Sequence, residues 1–242
     1  MPKPVESQPT PDGDEMRRMA GFLIEAERPR FDHRWRAIES MQNESPALLR
    51  LVARAGISDP NLCVRCEAAE ALGAAGSRAL DTPRLRSALQ DAAWQVRSSA
   101  AIGLGDIGGA KAFAALKNRL PLEPHPVVRR DIALSLAEFG QAALEALTES
   151  AEREVDDLAK CGELMAVYAL TGRGISDFLA LSGGADDVVR RNVVNFIDVR
   201  WLRPADVERV VLTLRSIVAT DRNPGTVGDA IAKLDEIERA FP

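Results

Sequence analysis

The sequence has few of the residues that usually carry catalysis: two histidines, three cysteines and one tyrosine in 242 residues. It contains no glycine-rich phosphate loop, nucleophile elbow or HExxH pair, which removes the common routes to phosphoryl transfer, acyl transfer and zinc hydrolysis. Cys63, Cys66 and Cys161 are an odd set without framework spacing, so a disulfide-built secreted domain is excluded and reduced thiols are expected. No apolar run reaches the roughly 18 residues that a membrane-spanning helix needs. The first residues lack the apolar core of a secretory signal, and a cytoplasmic protein is expected. The net charge of −5 is spread along the chain and opposes binding to nucleic acid. No cofactor is expected.

What is abundant is apolar and helix-favouring. Hydrophobic residues make up 46% of the chain, with Ala, Leu and Arg prominent, a composition that predicts packed helices rather than strands. Val64-Arg65, Val96-Arg97 and Val128-Arg129 recur every 32 residues. Ala69, Ala101 and Ala133 follow in step, then Leu72, Leu104 and Leu136, then Gly76, Gly108 and Gly140, with Asp59, Asp91 and Glu123 upstream. Val, Ala and Leu at these spacings form one apolar stripe of a helix. The glycines lie where a left-handed residue ends a helix at least cost. Inner helices are predicted over 64–75, 96–107 and 128–139. Shorter outer helices are predicted over 85–89, 113–120 and 142–147.

Each repeat is therefore a helix pair, and stacked pairs make an all-α fold, an α-solenoid of about six units. The pattern extends outward through Ala166, Leu170 and Gly174, and through Val188-Val189-Arg190-Arg191. A C-terminal pair is predicted over 205–219 and 226–240, and an N-terminal pair over 15–27 and around Arg34, Ala37 and Met41. Residues 1–13, with four prolines, read as a disordered tail, leaving 14–242 as one repeat domain.

The template over 58–147 is similar to HEAT repeats, most closely to the short HEAT-like repeats of phycobilisome lyases and of many bacterial proteins of unrelated role. That resemblance implies a superhelix of armadillo-like form whose Val-Arg helices line the concave face. It also implies two alternatives to simple protein binding. One is a bilin lyase-like or chaperone subunit acting on a tetrapyrrole protein. The other is a DNA-binding HEAT protein like the alkylpurine DNA glycosylases, whose concave face is strongly basic. Here the inner helices are acidic where that family needs cations, and only Arg129-Arg130 and Arg190-Arg191 speak for it.

The repeated Arg65, Arg97 and Arg129 each follow a turn carboxylate by six residues. They are expected to form a ladder of ion pairs between repeats rather than a recognition stripe. Cys63 and Cys66 have a redox-like spacing without the partners or βαβ context such chemistry needs, and align with ordinary repeat positions. Stepping by 32 residues along the inner helices gives Glu67, Ser99 and Asp131; Glu70, Ile102 and Leu134; and Asp106 and Glu138. These, with Trp94 in the turn before its helix, are the candidate concave contacts. No metal or catalytic residue is assigned. The expected function is that of a non-enzymatic adaptor or scaffold holding another protein, of basic character, in a trough roughly 50 Å long at about 8 to 10 Å per helix layer.

Overall fold

The computed structural model describes residues 34–36, 38, 39 and 45–242. The tail at 1–13, the outer helix at 15–27, Ala37 and Met41 lie outside the described residues. Among those described, every regular element is helical. After the short helical stretch that carries Arg34 and Ile38 come six consecutive pairs, each an outer helix followed by an inner one. They are α1 (Pro46–Gly56) with α2 (Leu62–Ala75), α3 (Arg78–Ala88) with α4 (Trp94–Ile107), and α5 (Ala110–Arg119) with α6 (Pro126–Ala137). Then follow α7 (Leu144–Arg153) with α8 (Asp157–Thr171), α9 (Ile175–Ala180) with α10 (Asp187–Phe196), and α11 (Val207–Thr220) with α12 (Pro224–Ala240).

The inner helices pack in succession from α2 to α12, and each repeat touches mainly its neighbours, as a solenoid requires. Val64, Val96 and Val128, with Leu72, Leu104 and Leu136, are fully or almost fully buried at their repeat positions. Small residues set the spacing between layers. A Cβ on Gly73 would sit 2.5 Å from Gly103 Cα, and one on Gly103 would sit 2.6 Å from the Ala69 carbonyl oxygen. Backbone approaches that close leave room for glycine alone.

Gly108 ends its helix with a φ of 65°, as the repeat predicts, whereas α6 stops at Ala137 and Gly140, at φ 64°, opens the short 3-10 turn beyond it. Gly76 is extended, at φ −71°. A substituent there would instead meet the Leu72 carbonyl oxygen at 2.0 Å. Gly174 is displaced too. α8 stops at Thr171 with left-handed Gly172 behind it, and Gly174 precedes α9.

The ion-pair ladder is present, and its register is now explicit. Arg65, Arg97 and Arg129 each reach forward with a two-pronged grip to Asp91, Glu123 and Glu154, the turn acids of the next repeat. The remaining guanidinium nitrogen donates to the carbonyls of the turn before its own helix, such as Asp91 and Ala92 for Arg97. Arg34 with Asp59 and Arg190 with Asp221 add rungs at the two ends. Each acid also accepts from the backbone amide two residues on, as Glu123 does from His125. Burial draws the Glu123 carboxyl upward, but Arg97, that amide and Arg119 together outweigh it and hold it below the ordinary glutamate range.

The ladder skips one place. α8 carries Lys160 where α2, α4, α6 and α10 carry Arg65, Arg97, Arg129 and Arg190, and here the interior divides into two apolar clusters. Ala166 faces the first, while Cys161, Met165 and Tyr168 face the second. Tyr168 ties the second cluster to the start of the repeat after next, bonding to Asp206 and to the Arg203 amide.

Candidate functional site

The inner helices leave a concave cleft of about 400 Å³ over α4 and α6, closed from the far side by residues 195–201 at the end of α10. The curl of the solenoid brings these distant segments together. Arg130 fastens them, donating to Asn192 at 3.0 Å and lying over the Phe196 ring at 5.1 Å. Trp201, half-buried, packs against both apolar clusters.

Two rows run across the cleft, set by the repeat register. Ile102 and Leu134 occupy one turn position on successive helices, and Asp106 and Glu138 occupy the position four residues later. Ile102 is 41% exposed, unusual for an isoleucine in a well-packed helix array. With Leu134, Phe196 and Trp201 it makes an apolar patch beside the carboxylates. Partial burial raises the Asp106 carboxyl above its ordinary range, and the neighbouring charges of Glu138 and Glu70 raise it further. Among the described residues neither Asp106 nor Glu138 has a cationic partner within ion-pair distance. Two like charges held side by side without a counterion favour an incoming cation.

Other expected contacts are placed differently. Ser99 is buried, 6% exposed, between inner helices away from the cleft, and Asp131, 5% exposed, lines the cleft from a buried position. Ser99 donates to Glu70 at 2.7 Å. Asp131 accepts from Ser98 and from Arg130. The reason is register: each sits one helical step toward the preceding inner helix, so adjacent repeats cover it. Glu67 is half-buried and engaged, and Glu70 is exposed beyond the cleft. Trp94 is half-buried at the repeat edge, stacked on His125 with centroids 4.3 Å apart and planes within 9°. It braces two turns and does not line the cleft.

Arg130, Asn195, Phe196, Asp198 and Trp201 are cleft residues that repeat stepping did not assign. Periodicity shows which residues share a face, while their meeting depends on the curvature of the superhelix. The four arginines that argued for a DNA-binding face are all committed: Arg129 to Glu154, Arg130 to Asp131, Arg190 to Asp221 and Arg191 to Asp229. Cys63 is exposed and Cys66 half-buried. Burial pushes the Cys66 thiol up and carries Cys161 to about 12, so neither offers a thiolate at neutral pH.

Comparison with known proteins agrees with the fold. Residues 82–166 match the family model of HEAT repeats. The chain carries HEAT-like repeats in this stretch. Over 97% of its length it also superposes on 97% of a chain from the complex of CpcE and CpcF of phycocyanin lyase from Nostoc sp. PCC7120, with a TM-score of 0.63 and 17% identity. At that identity the likeness concerns the fold. No curated protein matches the sequence. Among the described residues, no helix of this HEAT-like solenoid is long and apolar enough to cross a membrane.

Proposed function

We propose that this HEAT-like solenoid is a non-enzymatic scaffold that docks a partner protein in its concave cleft. The observation that carries the reading is the pairing of two rows: the carboxylates of Asp106 and Glu138 beside the apolar surface of Ile102, Leu134, Phe196 and Trp201. Apolar surface supplies affinity, and the unpaired carboxylates select a basic partner segment. Glu138 and Asp106 are exposed, so reversing them leaves the ladder and core intact. The test is the double variant Asp106→Lys with Glu138→Lys, used beside the unaltered chain to capture partners from a native extract. A stoichiometric protein held by the unaltered chain and lost from the variant, at equal melting temperature, supports the reading. Recovery of no such protein, or its retention by the variant, refutes it. Asp131 is excluded from the variant because its charge is tied to Arg130 and buried.

A second reading is favoured by the fold likeness to a chain of the phycocyanin lyase complex, which spans nearly the whole of both chains. In it the chain is a bilin lyase-like or chaperone subunit acting on a tetrapyrrole protein, and the aromatic flank of the cleft lies against the pigment. Mixing with a free bilin, alone and with a candidate apoprotein, then changes the visible absorption band. A spectrum equal to the sum of the components disposes of this reading.

A further inference from the structure

Away from the concave face, a cleft of about 740 Å³ lies between α9 and α11. Its origin is a mismatch of lengths. α9 has 6 residues and α11 has 14, so adjacent outer helices fail to cover each other from end to end. α11 faces the gap with Arg209, Thr213, Ser216 and Thr220, spaced i, i+4, i+7 and i+11, which is one stripe of an α-helix. An outer helix that packed fully on its neighbour would carry apolar residues on that stripe.

The charges do not cancel. Arg190 is spent on Asp221 and on the Gly184 and Ala185 carbonyls. Arg209 gives one nitrogen to the Ser176 hydroxyl at 2.9 Å and stands 3.7 Å from Asp206, remaining 57% exposed. Arg222 is exposed and has no ion pair among the described residues. Arg222 is thus offered to the cleft unpaired, and Arg209 is only loosely held by Asp206, in a chain whose net charge is −5.

The hydroxyls add a second feature. Thr213 donates to the Arg209 carbonyl, Thr220 to the Ser216 carbonyl and Ser182 to the Leu179 carbonyl. Their hydrogens are used, so the oxygens present lone pairs to the cleft and can accept from donors on a ligand. A fully deprotonated oxoanion such as sulfate has no such donors, inorganic phosphate has at most two on one centre, and a neutral sugar has no charge for the arginines. The volume lies in the range of small-molecule sites.

We propose that the α9–α11 cleft binds a hydroxylated oxoanion of the sugar-phosphate class, its anionic group held by Arg209 and Arg222 and its hydroxyls donating to Thr213 and Thr220. This site is independent of the concave cleft. The test is calorimetric titration of the full chain at low ionic strength with glucose 6-phosphate, inorganic phosphate and glucose. Glucose 6-phosphate is expected to saturate, inorganic phosphate to bind about tenfold more weakly, and glucose to give no heat. The double variant Arg209→Gln with Arg222→Gln, both exposed side chains, is expected to lose at least about tenfold in affinity, each lost charge-assisted contact being worth that order. Thr213→Val with Thr220→Val is expected to bring glucose 6-phosphate down to the level of inorganic phosphate. Absence of saturation, or an affinity unchanged in the arginine variant, overturns the site. Equal binding of inorganic phosphate and glucose 6-phosphate overturns the assignment of a hydroxylated ligand.

Discussion

Replacing Glu163 by glutamine should stabilise this protein, and should do so only at neutral and alkaline pH. Glu163 is fully buried in α8. One carboxyl oxygen accepts from Ser150 on α7 at 2.6 Å, and the other is buried without a partner among the described residues. Burial, with the nearby charge of Glu154, raises its pKa from 4.5 to about 7 against the lowering effects of the Ser150 hydroxyl, Arg129 and Lys160. Because the native state holds this proton more tightly than the unfolded chain, stability falls as pH rises from about 4.5 through about 7. At about 1.4 kcal/mol per pKa unit the full penalty above pH 8 is up to about 3 kcal/mol. Glu163→Gln retains an acceptor for Ser150 and removes the charge. Urea denaturation at pH 5 and pH 8 should therefore show the variant about equal to the unaltered chain at the first and about 2 kcal/mol more stable at the second. A stability difference that does not change with pH refutes the reasoning.

Removing the guanidinium of Arg97 by Arg97→Met should cost about 3 kcal/mol at pH 7, because Glu123 is left buried with only Arg119; chemical denaturation measures it. The loss should shrink as pH falls below the ordinary glutamate range, where Glu123 becomes neutral. Gly103→Ala should cost about 2 kcal/mol by forcing α4 from the Ala69 carbonyl. A calorimetric melting point equal to that of the unaltered chain would sink the close-approach argument.

The 32-residue recurrence by itself determined the helix pairs, the buried Val, Ala and Leu stripe and the arginine ladder, because each is a local or nearest-neighbour property repeated in register. Helix ends were less legible. The outer helix expected over 85–89 runs Arg78–Ala88, its early turns being polar in sequence and covered only by neighbours. Candidate cleft residues divide in the same way. Ile102, Leu134, Asp106 and Glu138 were reachable by stepping along the repeat. Ser99 and Asp131 shared that stepping and proved buried, since a helix position one step aside faces the next layer. Only the tertiary structure decided that Phe196, Asp198 and Trp201 lie across the cleft from α4 and α6, and that Glu163 is buried with Ser150 as its one hydrogen-bond partner among the described residues. Small rotations between successive repeats accumulate into the curvature that makes those meetings, and no single repeat encodes their sum.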